Sequence, residues 1–164
     1  MPELEVVQKI SEQDLKKGRQ EEMDFYAKFP AFEYVPIETY KSNPKAKYIS
    51  GRWEDGRKLD GCVRCRWVLR EFATKIALGD FFSATPNESD VDVLHVRAVK
   101  EGHCVRYFDV SRAFPHAPEL EDIYSDPPAG FERPGFMIKM LRKINGRRDA
   151  SQGYNEWRDA FRRL

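Results

Sequence analysis

The sequence has no apolar run approaching the ~20 residues that a membrane-spanning helix needs, so a membrane span is excluded. Its start, MPELEVVQKI, lacks the basic region followed by an apolar stretch that marks a signal peptide. Only 3 cysteines occur in 164 residues. That odd number fits a reduced intracellular protein, cytoplasmic or nuclear, better than a disulfide scaffold. Neither G-x-G-x-x-G nor a Walker sequence is present, which excludes nucleotide binding by those two devices. There is no internal repeat and no low-complexity tract.

What is present points to a folded chain. Aromatic residues make up 13%, hydrophobic residues 41% and charged residues 34%. That aromatic content argues against wholesale disorder. The length suits one domain plus an arm: a polar arm over residues 1–17, then a domain over 18–164. The net charge of +1 is unevenly spread. Residues 41–80 hold 10 basic and 5 acidic side chains, residues 81–138 hold 5 and 10, and residues 139–164 hold 8 and 3. Charge runs are ordinarily solvated faces. Two basic segments around an acidic one also suit a phosphate-binding surface around an acidic site.

Local patterning predicts a helix over Gln20 to Lys28 and a strand over Phe32 to Ile37. A polar turn follows over Lys41 to Lys47, then strands over Tyr48 to Trp53 and Cys62 to Phe72. Glu54-Asp55-Gly56 and Asp60-Gly61 are turn signals between them. Thr85-Pro86-Asn87-Glu88 fits a capping box opening a helix that Gly102 stops. Val91, Leu94, Ala98 and Val99 form that helix's apolar stripe. Cys104 to Val110 reads as a buried strand ending at an acid. Half of the 10 prolines fall in residues 115–134, so that stretch is mainly loop, with one short element near Glu119 to Tyr124. Phe136 to Leu141 is a last strand. Tyr154, Trp157, Phe161 and Leu164 line one face of a closing helix. The fold class is α+β, an antiparallel sheet with packed helices.

Cys62-Val63-Arg64-Cys65 is a C-x-x-C without the second pair that a structural zinc site needs. His95, His103 and His116 are scattered, and Ser111 has no triad around it. The informative tract is Phe108-Asp109-Val110-Ser111-Arg112-Ala113-Phe114. A carboxylate at the end of a buried strand is costly unless it is paired or metal-bound.

This tract resembles motif A of reverse transcriptases of the copia-type retrotransposon family, in which an Asp, a small apolar residue and two variable positions, here Ser111 and Arg112, precede Ala-Phe. Further segments follow the family order. Arg64-Cys65-Arg66-Trp67-Val68 with Arg70-Glu71-Phe72 is similar to its fingers strand. Asp80 to Pro86 is similar to its F-x-A-T-P segment. Ile123-Tyr124 with Pro127-Pro128-Ala129-Gly130-Phe131 is similar to its I-Y-x-x-x-P-x-G-F segment. Glu21-Glu22-Met23, Val35-Pro36 and Arg52-Trp53 resemble its opening stretch. The resemblance implies the fingers and a partial palm of an RNA-directed DNA polymerase, holding nucleic acid template–primer and a deoxynucleoside triphosphate. It implies Asp109 as the first catalytic, metal-ligating carboxylate, for Mg²⁺, with the Val110 carbonyl assisting. It implies Phe114 as the steric gate beneath the sugar, and Arg64 and Arg66 as triphosphate contacts.

Two departures qualify the expectation. Ile144 to Ala150 stands where the family carries L-Y-G-L-K-Q. Gly146 and Trp157 match anchor positions, but Asp149 replaces the Gln and brings an anion toward a triphosphate, unless Arg147 or Arg148 neutralises it. The family's second catalytic motif is an adjacent Asp-Asp pair on a hairpin, and no such pair occurs in this chain. The expectation is an N-terminal fragment of such an enzyme that is inactive alone. The alternatives are a non-catalytic nucleic-acid-binding module, or a structural relic whose exposed palm sheet edge pairs with a partner.

Overall fold

The computed structural model describes residues 10–58, 61–71, 87–107 and 109–161. Helix α1 runs Glu12–Lys28. Ser11 caps it by accepting from the Asp14 amide at 3.1 Å, with Glu12 and Asp14 in the first turn, where acids suit the helix dipole. The helix therefore starts inside the stretch expected to be a polar arm. Its buried face includes Gly18 and Glu22 beside Met23 and Tyr26, and neither of the first two carries an apolar signal.

Strand β1 is Phe32–Pro36, followed by the short helix α2, Ile37–Ser42, where an extended end and a turn were expected. Strand β2 is only Lys47–Tyr48. Strands β3, Gly51–Arg57, and β4, Val63–Leu69, form an antiparallel hairpin that pairs Trp53 with Trp67 and Glu54 with Arg66. Glu54-Asp55-Gly56 lies within β3 and is not a turn. Beyond β3 the Lys58 amide donates to the Cys62 carbonyl at 2.8 Å, and Asp60 of the expected Asp60-Gly61 turn lies outside the described residues.

Helix α3 is Glu88–Glu101. Its capping box is Asn87 with Asp90, not Thr85 with Glu88. Thr85 and Pro86, like the rest of the Asp80 to Pro86 segment, Phe72, Phe108 and Leu164, lie outside the described residues. Gly102 ends α3 at φ 67°, as expected. Its apolar stripe is not packed as expected. Ala98 is buried, but Leu94 and Val99 are 53% and 82% exposed.

The buried strand expected over Cys104 to Val110 is absent among the described residues. Cys104 and Asp109 are exposed and Tyr107 is 71% exposed. A strand needs a neighbour for its N–H and C=O groups, and no described strand pairs with this stretch. Among the described residues a side-chain contact ties it to α3 instead, between the His95 ring and the Tyr107 hydroxyl.

After a single 3-10 turn at Phe114–His116 come strand β5, Ile123–Ser125, strand β6, Phe136–Met140, and helix α4, Ala150–Phe161. The larger sheet has the order β1-β6-β5-β2. It is mixed where an antiparallel sheet was expected, because β2 runs parallel to β5. Ile123, Ile138 and Met140 of its strands share one core with Ile144 of the following loop, Trp67 of the hairpin and Tyr26 of α1. No described helix is long and apolar enough to cross a membrane.

Candidate functional site

A cleft of about 710 Å³ opens between α1, the β3–β4 hairpin and the turn over residues 109–115. The hairpin contributes Arg64 and Arg66. Strand alternation turns both outward, while Cys65 and Trp67 between and beside them face the core. Neither arginine has a hydrogen-bond or ion-pair partner among the described residues. The third wall contributes Asp109, Val110 and Phe114. All five site residues named from the sequence therefore line one cavity, although the hairpin pair and the Asp109 tract are distant in the chain. Asp109 reaches it from an exposed turn, not from the end of a buried strand.

The sequence did not place the first wall at this site. Gly18, Glu21, Glu22 and Tyr26 of α1 line the cleft opposite the hairpin. Gly18 permits this approach, since a Cβ there would lie 2.8 Å from the Cys65 Sγ. Arg19 and Asp55 pair at 2.6 Å across the same interface, and Arg19 lies over the Trp53 ring at 5.2 Å. Burial acts to raise the Asp55 carboxyl, but the Arg19 guanidinium outweighs it and holds the acid below its ordinary value. Burial and then the Asp55 hydrogen bond push the Cys65 thiol up to about 12.

Glu22 is the cleft's buried acid. Its side chain is 4% exposed and meets the Arg112 guanidinium at 2.8 Å. Arg112 also sits 4.1 Å over the Phe25 ring centroid. It is the sole described non-glycine residue with positive φ, at 50°, a left-handed conformation that costs an L-residue about 1–2 kcal/mol. Burial and then the Glu22 charge hold the Tyr26 phenol well above 10, so it stays protonated at neutral pH. Its hydroxyl donates to the Trp67 carbonyl at 3.4 Å.

The loop after β6 closes one end of the cleft with Asn145. The Leu69 amide donates to the Asn145 carbonyl at 2.9 Å. Gly146 has φ 87°, and a Cβ there would fall 1.8 Å from the Leu69 carbonyl oxygen. Only glycine allows the loop to dock on β4 in this way. Asp149, expected near a triphosphate, does not line the cleft. It pairs with Lys143 at 2.5 Å and Arg147 at 3.3 Å, so Arg147, one of the two arginines named from the sequence, neutralises it together with Lys143, which was not named. Trp157 packs on His116 at 4.6 Å between ring centroids, away from the cleft walls.

The acids present do not make a complete metal site. No group of three His, Cys, Asp or Glu side chains among the described residues is arranged to hold a cation. Asp109 and Glu21 also line the cleft, and Glu22 is already neutralised by Arg112. The cleft can attract an anion through Lys58, Arg64 and Arg66. No reaction step through Mg²⁺ follows from these residues.

Comparison with known proteins gives one distant relation. The chain is 26% identical over 162 residues, 96% of its length, to the retrovirus-related Pol polyprotein from transposon TNT 1-94 of Nicotiana tabacum. It spans 12% of that polyprotein. The relation supports a retrotransposon origin. No family model and no solved structure matches the chain.

Proposed function

We propose that this chain is the fingers and first part of the palm of a copia-type RNA-directed DNA polymerase, and that its cleft binds phosphate groups of nucleic acid or a nucleoside triphosphate. The observation that carries the reading is the meeting of Asp109, Val110 and Phe114 with Arg64 and Arg66 in one cavity. The order of the resembling segments and the distant relation to a transposon Pol polyprotein support it. Arg64 and Arg66 present guanidinium forks to phosphate oxygens. Phe114 supplies an apolar face beneath a sugar, and Asp109 marks the reactive end.

The chain acts alone as a binding module. It has no Asp-Asp pair, and nucleotidyl transfer by two metals needs more carboxylates than Asp109 supplies. Fluorescence anisotropy with a labelled RNA–DNA template–primer tests the reading. Affinity should fall steeply with salt, and Arg64→Ala with Arg66→Ala should reduce the salt slope by about 2. Binding that is absent or independent of salt refutes it. Primer extension with Mg²⁺ or Mn²⁺ should give no product, and extension that persists in Asp109→Ala would overturn the placement of that residue.

A further inference from the structure

The Glu22–Arg112 pair does more than fill space. Among the described residues the turn over residues 109–115 has no strand neighbour to fix it, yet it carries Asp109 and Phe114. Three observations converge on Arg112. It is paired at 2.8 Å with a nearly buried carboxylate, stacked on Phe25 at 4.1 Å, and held in a left-handed backbone conformation at φ 50°. Glu22 and Phe25 both belong to α1, which is fastened to the hairpin by Arg19–Asp55. One side chain thus ties the turn to the helix that is itself fastened to the arginine-bearing hairpin.

We propose that Arg112 is a positioning residue whose clasp on Glu22 fixes the 109–115 turn against α1 and so sets Asp109 and Phe114 opposite Arg64 and Arg66. The clasp itself stands on the geometry alone, while its consequence for anion binding rests on the proposed function. It predicts local and not global effects. Removing either partner frees the turn and leaves the hairpin in place. Arg112→Lys keeps the charge that Glu22 requires and restores the tie.

Hydrogen exchange on the full chain tests this, paired with titration of inorganic tripolyphosphate in metal-free buffer. Arg112→Ala and Glu22→Gln should each speed exchange on the order of tenfold at the His116 and Ala117 amides, which donate to the Ala113 and Phe114 carbonyls, with Leu69 and Arg70 unchanged and most of the effect reversed in Arg112→Lys. Tripolyphosphate affinity should fall in both disrupting variants and return in Arg112→Lys. Unchanged exchange at the turn overturns the clasp. Acceleration that spreads equally to Leu69 and Arg70 also overturns it, because Glu22 would then be an ordinary core support. Weaker binding in Arg112→Ala but not in Glu22→Gln overturns the positioning role by making Arg112 a direct anion contact. Failure of the unaltered chain to bind tripolyphosphate, with the exchange pattern as expected, removes the proposed function and leaves the clasp standing.

Discussion

Arg147 and Glu119 form an ion pair of 2.9 Å in which the side chains are 2% and 0% exposed. The same guanidinium reaches Glu71, at the end of the hairpin, at 2.9 Å, and Glu121 at 3.0 Å. The Glu71 carboxylate also accepts from the Arg148 amide at 2.8 Å. Arg147 therefore joins the end of β4, the loop before β5 and the loop after β6. It holds the arginine-bearing ribbon at a fixed place on the larger sheet, without itself lining the cleft.

Replacing Arg147 by Met should destabilise the chain strongly, because it leaves the buried Glu119 carboxylate with only the more distant Lys143 ammonium, at 3.6 Å, to offset its charge. Breaking a buried pair from one side costs about 3–5 kcal/mol. Arg147→Lys should recover little, since one ammonium cannot serve carboxylates on several sides at once. Urea unfolding monitored by tryptophan fluorescence measures both. A loss below about 1 kcal/mol, the range of exposed pairs, would show that the cluster is solvated.

Acid should weaken the fold through Glu121 and Asp55. The Lys47 hydrogen bond, opposed by burial and supported by Arg147, holds the Glu121 carboxyl below its ordinary 4.5. Asp55 is held below its ordinary value of 3.8 by Arg19 against burial. A carboxyl lowered in the folded state contributes stability that is fully present above its unfolded value and lost as pH falls through its folded value. The urea midpoint should therefore be flat in this respect above pH 4.5 and decline below it. Glu121→Gln and Asp55→Asn should each lessen the decline, and an undiminished acid loss in both would assign it to other groups.

How much of this was legible depended on where the signal sat. The hairpin was readable because Arg64 and Arg66 alternate with Cys65 and Trp67 at the period of a strand. The Asp109 tract was readable through residue identity alone. Its backbone was not, since Val105, Tyr107 and Val110 look like a buried strand while the neighbour that would pair with them is a tertiary matter. Helix α1 was half missed because its inward face uses Gly18 and Glu22, a close approach and an ion pair, in place of apolar side chains. Arg112 looked like a variable position, and its partner lies in another element. Asp149 looked like a charge aimed at a ligand because sequence does not show that Lys143 and Arg147 enclose it.

Thiol chemistry should separate the three cysteines, none of which is in a disulfide. Cys62 and Cys104 are exposed. Cys65 is buried against α1, and its thiol is pushed up to about 12, so it is almost wholly protonated at pH 8. Iodoacetamide at pH 8 should label Cys62 and Cys104 and spare Cys65 until denaturant is added, as read by peptide mass spectrometry. Early labelling of Cys65 would mean that α1 lifts from the hairpin in the native state.

The sign of one substitution tests whether Asp109 faces the same anion as the arginines. In metal-free buffer its carboxylate opposes tripolyphosphate, while Arg64 and Arg66 attract it. Asp109→Asn keeps the shape of the side chain and removes the charge. Because Asp109 is exposed, the repulsion is screened by water and is worth only a few tenths of a kcal/mol, so affinity should rise about threefold at most. Arg64→Ala should lower affinity in the same titration, and raising the salt should shrink both effects together. An unchanged or weaker affinity in Asp109→Asn would mean that the carboxylate points away from the bound anion, and the shared cleft would then be a coincidence of lining.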